Sequence, residues 1–441
     1  MKKAPSPLVS LIPIIVLVLL LFATIRTFGS DALSGGSQVS LLTTTAICIL
    51  IGMVFYKIPW KDYELAITNN IAGVATAIII LLIIGALSGI WMISGVVPTL
   101  IYYGMQIIHP SFFLASTCII CALISVMTGS SWTTIATIGI ALMGIGKAQG
   151  FEDGWIAGAI ISGAYFGDKI SPLSETTILA SSITDTPLFR HIRYMMITTV
   201  PSLVITLIIF TVAGFSHDAN NTQHIAEVAT ALNEKFHITP WLLIVPVATG
   251  ILIAKKVPSI VTLFLSTLLA AVFALIFQPD LLEEISGIAA SGFDSLFKGL
   301  MMTIYGETNL HTDNAVLTDL IATRGMSGMM NTIWLILCAM CFGGAMTASG
   351  MVGSITSIFV RFMKKTVSVV SATVCSGLFL NLTTADQYIS IILTGNMFRD
   401  IYAKKGYESC LLSRTTEDAV TVTSVLIPWN SCGMTLSLIH I

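Results

Sequence analysis

Long apolar stretches separated by short polar connections are the main pattern of the sequence. Many of these stretches approach or reach the roughly 20 residues that a helix needs to cross a bilayer. The clearest ones cover residues 8–24, 39–55, 71–92, 112–127, 195–213, 241–254, 260–277, 333–345 and 367–380. The alternation typical of outer-membrane barrels is absent, so we predict an all-α, polytopic helical membrane protein. We expect about ten to twelve transmembrane passes or half-passes.

Composition indicates the same class of protein. Hydrophobic residues make up 55% and charged residues 10% of the 441 residues, as is typical of a chain embedded in lipid. The formal net charge is -2 and the sequence has no basic tail, which argues against a nucleic-acid partner. The lipid bilayer is therefore the expected environment of the chain.

The amino-terminal segment predicts the orientation of the protein. Met1-Lys2-Lys3 precedes the apolar residues 8–22, but no small-residue cleavage site follows them. We interpret this segment as an uncleaved first transmembrane helix rather than a signal peptide. Basic residues occur in the short connections that alternate counting assigns to the inner side, so we expect a cytoplasmic amino terminus.

Two groups of polar residues interrupt the apolar pattern, one in each half of the chain. They consist of Ser130, Ser131 and residues 167–175 in the first half, and of Thr383, Thr384 and residues 413–418 in the second half. Charged side chains at membrane depth cost several kcal/mol unless they are partnered, so both groups are candidate functional sites.

The two groups also resemble each other. When residues 171–183 are aligned with residues 413–425, three positions are identical, and each segment follows a pair of hydroxyl residues. We interpret this as an internal duplication within a single membrane domain, 1–441. The first repeat would cover about 1–215 and the second about 239–441.

Prolines and basic residues predict helix breaks at both groups. Pro172 disfavours an α conformation at Ser171, and Pro428 does the same at Ile427, so both modules should contain discontinuous helices. Basic residues flank both ends of the apolar stretch around Thr384, which predicts a re-entrant hairpin there. Matching broken helices are typical of the binding site of a secondary transporter.

The residue types at these positions suit a hard cation that competes with a proton. Na⁺ prefers oxygen ligands, and a poorly solvated carboxylate is stabilised by either a cation or a proton. The candidate Na⁺/H⁺ site therefore comprises the carboxylates Asp168, Glu175, Asp386, Glu417 and Asp418 and the hydroxyls of Ser130, Ser131, Thr383 and Thr384. If only the two occupied forms can change sides, this competition is an antiport mechanism.

Structural interpretations of the same residues stay open. Arg414 precedes Glu417 and Asp418 by three and four positions, a spacing that suits a salt bridge along a helix. Lys169 and Arg414 are accordingly candidate charge partners of the carboxylates. The hydroxyl residues could equally pack helices closely or bond to backbone carbonyls.

Four longer motifs carry a resemblance to a known family. They are TGSSWTTIATIGIALMGIG (128–146), AGAIISGAYFGDKISPLSETT (157–177), LNLTTADQYISIIL (380–393) and LSRTTEDAVTVTSVLIPWNSCG (412–433). Together they strongly resemble NhaC-type Na⁺/H⁺ antiporters of the ion transporter superfamily, and the resemblance extends along nearly the whole chain. It implies an exchanger of the bacterial cytoplasmic (inner) membrane, built from two inverted repeats with re-entrant hairpins and discontinuous helices.

The resemblance leaves the substrate open. The expected function is secondary active antiport of Na⁺ and H⁺ by alternating access, with both ions competing for intramembrane carboxylates. Some relatives look like malate/lactate exchangers, so Na⁺/H⁺-coupled exchange of organic acids is the alternative, with Arg414 or Lys169 facing the organic carboxylate. A channel is disfavoured because paired carboxylates on broken helices suit alternating access.

Other classes of function find no support in the sequence. Catalytic motifs are absent, so we expect neither an enzyme nor a cofactor beyond the transported Na⁺ and H⁺. The expected partners are these two ions, the lipid bilayer and, under the alternative, small organic acids. Whether the chain forms a homodimer stays open.

The last six residues, 436–441, depart from the family pattern. They can be back-translated as the transposon end that is used in sequencing libraries. We therefore expect them to be artefactual and the second repeat to be truncated at its carboxyl end. A natural stop codon after Ile441 at the genomic locus would contradict this.

Overall fold

The computed structural model describes residues 5–216, 222–255, 257–288, 292–308, 310, 318, 321–355 and 366–436. This part of the chain is helical, with one isolated β-bridge between Thr308 and Thr323 and no β-strand within it. Eight described helices are long and apolar enough to cross a membrane, or nine if one bent pair counts as a span. The prediction of an all-α, polytopic membrane protein is confirmed. Residues 437–441 lie outside the described residues.

The helices of the first half begin and end as follows. They are α1 (Pro7–Phe28), α2 (Gly36–Tyr56), α3 (Trp60–Gly73), α4 (Ala75–Ile93), α5 (Val96–Ile107), α6 (Pro110–Thr128), α7 (Ser131–Thr134), α8 (Ile140–Ala148), α9 (Asp153–Ile170), α10 (Glu175–Ile183) and α11 (Leu188–Ser216). A 3₁₀ turn, Gly29–Ser34, joins α1 to α2, and a π-helical segment, Ile135–Gly139, joins α7 to α8.

The second half contains shorter elements between its long helices. They are α12 (Thr222–Lys235), α13 (Ile244–Ala254), α14 (Ser259–Phe277), α15 (Pro279–Ser286), α16 (Phe293–Tyr305), α17 (Gly325–Gly328), α18 (Met330–Ala348), α19 (Thr366–Thr384), α20 (Gln387–Lys404), α21 (Ser409–Thr416), α22 (Val422–Ser424) and α23 (Ser431–Leu436). A 3₁₀ turn, Pro240–Leu243, precedes α13, and a π-helical segment, Glu417–Thr421, joins α21 to α22.

The chain divides by packing into two compact units. One unit consists of residues 5–78, Glu175–Met195 and Asn331–Leu436, and the other of Ile79–Ser174 and Met196–Met330. We call them the Asp386 unit and the Asp168 unit, after the carboxylate that each contains. Each unit is assembled from segments that are distant in the sequence.

In the Asp168 unit, helices α6 and α9 pack at very close range. A Cβ atom on Gly163 would lie 2.1 Å from Cys118 O, and one on Gly167 would lie 2.4 Å from Ser125 Cβ. Ser125 Oγ also donates to Ala164 O. Small residues permit such contacts in membrane helices. They fix the carboxyl end of α9, which carries Asp168, against the carboxyl end of α6.

Apolar side chains cover the outside of several long helices. On α11, Ile205, Ile208, Ile209 and Val212 are each more than half exposed. Soluble helices bury such residues, whereas a helix that faces lipid exposes them. This pattern agrees with the classification as a membrane protein.

In the Asp386 unit, α19 and α20 pack against each other and against α21 and the following π-helical segment. Ala385, with φ 57°, reverses the chain between α19 and α20. Asn381 Nδ2 on α19 donates to Val420 O in the π-helical segment at 2.7 Å. These contacts bring the polar residues of both segments into one buried region, and the helix pair has the connectivity expected of a hairpin.

Candidate functional site

Asp168 is the buried carboxylate of the Asp168 unit. It lies near the carboxyl end of α9, and 7% of the residue is exposed. Its Oδ2 accepts a hydrogen bond from Ser131 Oγ at 2.7 Å and one from Ser131 N at 3.3 Å. Its Oδ1 accepts from Ser174 Oγ at 2.6 Å. We call Asp168, Ser131 and Ser174 the Asp168 cluster, in which hydroxyls hold both carboxylate oxygens.

The break after α9 brings Ser174 to Asp168. Pro172 prevents the helix from continuing, and Ser171 adopts an extended conformation with φ -79° and ψ 130°. Ser171 Oγ donates to Val126 O at 2.8 Å, which ties the connection to α6. The chain can therefore turn back so that the Ser174 hydroxyl points at Asp168.

Gly129 makes room for this connection. Its φ is 69°, in the left-handed region that favours glycine, and a Cβ atom there would lie 2.6 Å from the backbone carbon of Leu173. The glycine also reverses the chain directly before Ser130 and Ser131. Gly129 therefore allows the segment that carries Ser131 and the segment that carries Ser174 to approach each other.

Ser130 has a local structural role. Its hydroxyl accepts from Thr133 N at 3.2 Å and so caps the amino end of α7. Ser131 follows as the first helical residue and contributes both its N–H and its hydroxyl to Asp168. The positive end of the helix dipole stabilises a negative carboxylate at this position.

Asp386 is a buried carboxylate of the Asp386 unit. It is 2% exposed and caps the amino end of α20, where its Oδ1 accepts from Ile389 N at 2.9 Å. Its Oδ2 accepts from Ser431 Oγ at 3.0 Å, and Ser431 N donates to Ala385 O. We call Asp386 and Ser431 the Asp386 cluster. It joins the hairpin to the segment that follows Pro428.

The two hydroxyl residues before Asp386 differ in their contacts. Thr384 Oγ1 lies 2.8 Å from Ser390 Oγ, across the turn at Ala385. Thr383 Oγ1 bonds to Phe379 O and Leu380 O of its own helix. Thr383 therefore fits the packing interpretation, whereas Thr384 belongs to the turn that orients Asp386.

The local structure around Ser130 repeats around Asp386. Thr128, Gly129 and Ser130 are the helix end, the left-handed residue and the helix cap in one unit. Thr384, Ala385 and Asp386 take the same three places in the other. Each residue of the first set lies the same number of positions before its counterpart in the second set. The same spacing separates Gly150 from Gly406, Glu152 from Glu408, and Pro172 from Pro428.

This correspondence changes the register of the predicted duplication. The sequence alignment paired Ser171 with Ser413, but Ser171 follows the end of α9 whereas Ser413 lies inside α21. By the structural correspondence, Asp168 matches Ser424 and Ser131 matches Gln387. Asp168 contacts Ser131 in one unit. The two residues that match them are also in contact with each other, because Ser424 Oγ donates to Gln387 Oε1 at 3.2 Å. The two modules therefore carry their carboxylates at positions that do not match each other.

The remaining predicted site residues have varied surroundings. Glu417 is fully buried in the π-helical segment, and Asp418 is partly buried beside it. Lys169 is buried next to Asp168 in the sequence. Arg414 Cζ lies 4.8 Å from the centre of the Tyr194 ring, a cation–π contact. Glu175 is exposed at the start of α10, and its Oε2 accepts from Tyr388 Oη at 3.0 Å.

The candidate ion ligands predicted from the sequence left out two cluster members: Ser174, which lies in the polar group 167–175, and Ser431. Ser431 lies far from Asp386 in the sequence, so only the folded chain brings the two together. The equal spacing of the pairs Thr128/Thr384 and Pro172/Pro428 was the signal that could have revealed the correct register.

The described residues contain no group of three or more His, Cys, Asp or Glu side chains that could hold a resident metal ion. Both clusters instead combine one carboxylate with hydroxyl oxygens. Such a set fits a weakly held, hard monovalent cation better than a tightly bound transition metal.

Comparison with known proteins gives consistent matches. The sequence model of a family described as Na⁺/H⁺ antiporter family matches residues 5–178 and 163–440. The Na(+)/H(+) antiporter NhaC of Bacillus subtilis (strain 168) is 35% identical over 394 residues, 89% of this chain and 84% of the relative.

Two further relatives match at nearly the same identity. The Na(+)/H(+) antiporter NhaC of Alkalihalophilus pseudofirmus is 37% identical over 390 residues, 88% of this chain and 81% of the relative. The Malate-2H(+)/Na(+)-lactate antiporter of Bacillus subtilis is 36% identical over 399 residues, 90% of this chain and 82% of the relative.

Proposed function

The chain belongs to the Na⁺/H⁺ antiporter family, and we propose that it exchanges Na⁺ for H⁺ across a bacterial cytoplasmic membrane as a multi-pass secondary transporter. The Asp168 cluster is the structural observation that carries this proposal. Asp168 is buried, and both of its carboxylate oxygens contact serine hydroxyls at a helix break. Its surroundings therefore supply oxygen ligands of the kind that a hard cation prefers.

One carboxylate in such a place can hold either ion. Burial disfavours the charged form unless a cation or a proton compensates it. In the proton-bound form, Asp168 keeps its contacts with Ser131 and Ser174. In the Na⁺-bound form, the two hydroxyls turn about their Cβ–Oγ bonds and present lone pairs to the ion. Binding one ion therefore displaces the other, which couples their opposite movements.

The Asp386 cluster takes the corresponding role in the second module. The repeated helix end, left-handed residue and cap support an internal duplication in which the repeats cover about 1–215 and 239–441. We assign alternating access to these two repeats and an inverted relation between them. Glu417 and Asp418 are further carboxylates of this module, and Lys169 and Arg414 are the charge partners. The amino terminus lies in the cytoplasm.

Exchange of organic acids is the second candidate function. The 36% identity to a malate-2H(+)/Na(+)-lactate antiporter favours it. An organic carboxylate would need a cationic contact, and Arg414 carries the positive charge nearest to the Glu417 segment in the sequence. Under this alternative, Arg414 leaves the Tyr194 ring to face the substrate.

Transport in proteoliposomes tests the proposal. An imposed Na⁺ gradient should move protons in the opposite direction, and Asp168→Asn should abolish this movement. Asp185→Asn is the matched control, because Asp185 is an exposed carboxylate with φ 52° and asparagine tolerates that conformation. Proton movement that requires added malate or lactate would move the assignment to organic acids. Unaltered exchange in Asp168→Asn would overturn the role of this carboxylate.

A further inference from the structure

His191 is a buried histidine at a charged end of the Asp386 unit. It lies in the first turn of α11, where its N–H donates to Pro187 O, and the residue is fully buried. Its Nδ1 lies 2.8 Å from Ser413 Oγ on α21. Histidine is the side chain whose ordinary protonation range includes neutral pH. Its buried position and its contact with Ser413 make it a candidate for transferring protons into the interior.

Ser413 begins a polar stripe along α21 and the helical segments after it. We define the buried stripe as Ser413, Glu417, Thr421 and Ser424, which recur every three or four positions and are all fully buried. At its far end, Ser424 contacts Gln387, which follows Asp386 directly. The stripe therefore leads from His191 to the residue beside the Asp386 cluster.

The length of the stripe suits a path to the middle of a membrane. Residues 413 and 424 are separated by eleven helical positions, or at most about 16 Å along the axis at the α-helical rise of about 1.5 Å per residue, since the π-helical part rises less. The hydrocarbon core of a bilayer is about 30 Å thick. The stripe thus spans about half of that thickness.

Exposed ion pairs mark the His191 end as the end that faces water. Arg190 Nη2 contacts Glu408 Oε2 at 2.8 Å, with 56% and 65% of the side chains exposed. Arg399 contacts Asp185 at 3.4 Å, with 45% and 75% exposed. Exposed charges of this kind do not lie in hydrocarbon. Arg190, the residue before His191, is therefore in contact with water, whereas the ring of His191 is buried.

We propose that His191 and Ser413 form the entrance of a proton path that runs along the buried stripe toward Asp386. This inference rests on the proposed Na⁺/H⁺ exchange and names the route of its proton. A proton binds Nε2 of His191 while the proton on Nδ1, the nitrogen beside Ser413, passes to Ser413 Oγ. The hydroxyl proton of Ser413 then passes to a water bound between Ser413 and Glu417 and on toward the Glu417 carboxylate, so one proton enters, one leaves, and both side chains return to neutrality.

The contacts of Ser413 permit this transfer. Its hydroxyl has one hydrogen but two neighbours, His191 Nδ1 at 2.8 Å and Cys410 O at 3.2 Å. The hydroxyl can donate to the carbonyl while it accepts from the imidazole, or donate to the imidazole instead. Alternation between these two arrangements is what a proton relay requires.

Hydroxyls beside Glu417 extend the path. Thr416 Oγ1 and Thr421 Oγ1 are fully buried and have no hydrogen-bond partner among the described residues. Buried polar atoms ordinarily have a hydrogen-bond partner, and ordered water supplies it where the protein does not. Water bound by these two hydroxyls would bridge Ser413 to Glu417 and Glu417 to Ser424.

The elements around His191 carry both positive and negative groups. The titratable and charged groups on the elements around it are Arg190, Arg193 and Tyr194 on α11, Glu408, Cys410 and Arg414 at and along α21, Glu175 and Asp185 at the ends of α10, and Arg399, Asp400, Lys404 and Lys405 at the end of α20 and beyond it. Glu408 and Asp185 are engaged by Arg190 and Arg399.

His191→Asn tests this role with two assays on the whole protein in proteoliposomes. Na⁺-driven proton movement should fall by about tenfold or more, as for other positioned proton-transfer groups. Na⁺/Na⁺ exchange needs no proton and should stay at the wild-type rate. His109→Asn is the matched control, because His109 is an exposed helix cap and asparagine caps helices equally well. It should change neither assay.

Ser413 supplies an independent variant if His191→Asn does not fold. Ser413→Ala should repeat the selective loss of proton movement, and Ser413→Thr, which keeps a hydroxyl, should restore it. Equal slowing of both exchanges, or an unchanged pH profile of proton movement in His191→Asn, would overturn the proton path. Absence of Na⁺-driven proton movement in the wild type would instead overturn the proposed function.

Discussion

The hydroxyl of Ser174 reaches back across the helix break at Pro172 and donates to Asp168 Oδ1 at 2.6 Å. Ser131 holds the other carboxylate oxygen from the start of a different helix. The two serines therefore act as a clamp whose geometry depends on the break. If Asp168 exchanges Na⁺ and H⁺, the clamp should determine how tightly Na⁺ is held.

Ser174→Ala should weaken Na⁺ binding without removing the carboxylate. The loss of one hydroxyl contact to a charged group is worth about 1.5 kcal/mol, or about a tenfold rise in the Na⁺ concentration that gives half-maximal exchange. Ser182→Ala removes an exposed hydroxyl on α10 and should leave that concentration unchanged. Equal Na⁺ dependence in both variants would exclude Ser174 as a ligand. The measurement is the Na⁺ dependence of proton movement in proteoliposomes.

Gly129→Ala should destabilise the protein through the same connection. The added Cβ would meet the Leu173 backbone at 2.6 Å, and the positive φ of 69° adds about 1 kcal/mol of strain. Gly154→Ala, in a helix with nothing within 4 Å of the new Cβ, should be neutral or slightly stabilising. Thermal unfolding in detergent would compare the two. A similar melting temperature for both variants would contradict the close approach at Gly129.

Ala385→Gly should act in the opposite direction to Gly129→Ala. Ala385 takes the corresponding place in the Asp386 unit with φ 57°, where a Cβ atom is strained. Replacement by glycine should stabilise the protein by about 1 kcal/mol, measured as a rise in melting temperature. A fall of similar size would show that the Ala385 methyl group contributes more by packing than it costs by strain.

Prolines and polar residues in the sequence were enough to predict the helix breaks. Pro172 and Pro428 follow the ends of helical segments as expected, and Asp168 lies just before the break at Pro172. Ser131, Thr384 and Asp386 lie instead at the chain reversals at Gly129 and Ala385, where there is no proline. The partners of the carboxylates were harder to predict. Contacts such as Ser431 with Asp386 depend on how distant helices pack, and three identities in a short alignment could not fix the register between the modules.

Local structure adds details that the sequence did not reveal for two candidates. Arg414 has the spacing for a salt bridge along a regular helix, and a π-helical segment begins at Glu417. The Arg414 guanidinium lies over the Tyr194 ring. Glu175 begins α10 directly after the break at Pro172 and is exposed.

Asp386→Asn should separate the structural role of Asp386 from its charge. Asparagine caps a helix about as well as aspartate, so the bond from Ile389 N can persist and the melting temperature should change little. The charge is lost, so Na⁺-driven proton movement should stop. Asp386→Ala should lose both stability and transport. Full transport by Asp386→Asn would remove Asp386 from the candidate ion site.

The pair of Arg190 and Glu408 should make stability depend on pH at the charged end of the Asp386 unit. The pKa of Glu408 is lowered from its ordinary value, first by a hydrogen bond from Cys410 and then by the charge of Arg190. Its stabilising contribution should therefore be present above the ordinary pKa of glutamate and disappear as the pH falls through the lowered value. Glu408→Gln should be less stable than the wild type at neutral pH and equally stable in acid. A difference that persists in acid would contradict this.

Proton release on Na⁺ binding tests the central claim most directly, because it needs neither a membrane nor a gradient. Purified protein in detergent and weak buffer would be mixed with Na⁺ while a pH indicator is followed, with Asp168→Asn and Asp185→Asn beside it. If Asp168 holds either ion, Na⁺ should release protons from the wild type and from Asp185→Asn, and the release should be lost in Asp168→Asn. Na⁺ binding by the wild type without proton release would contradict competition of the two ions for one carboxylate.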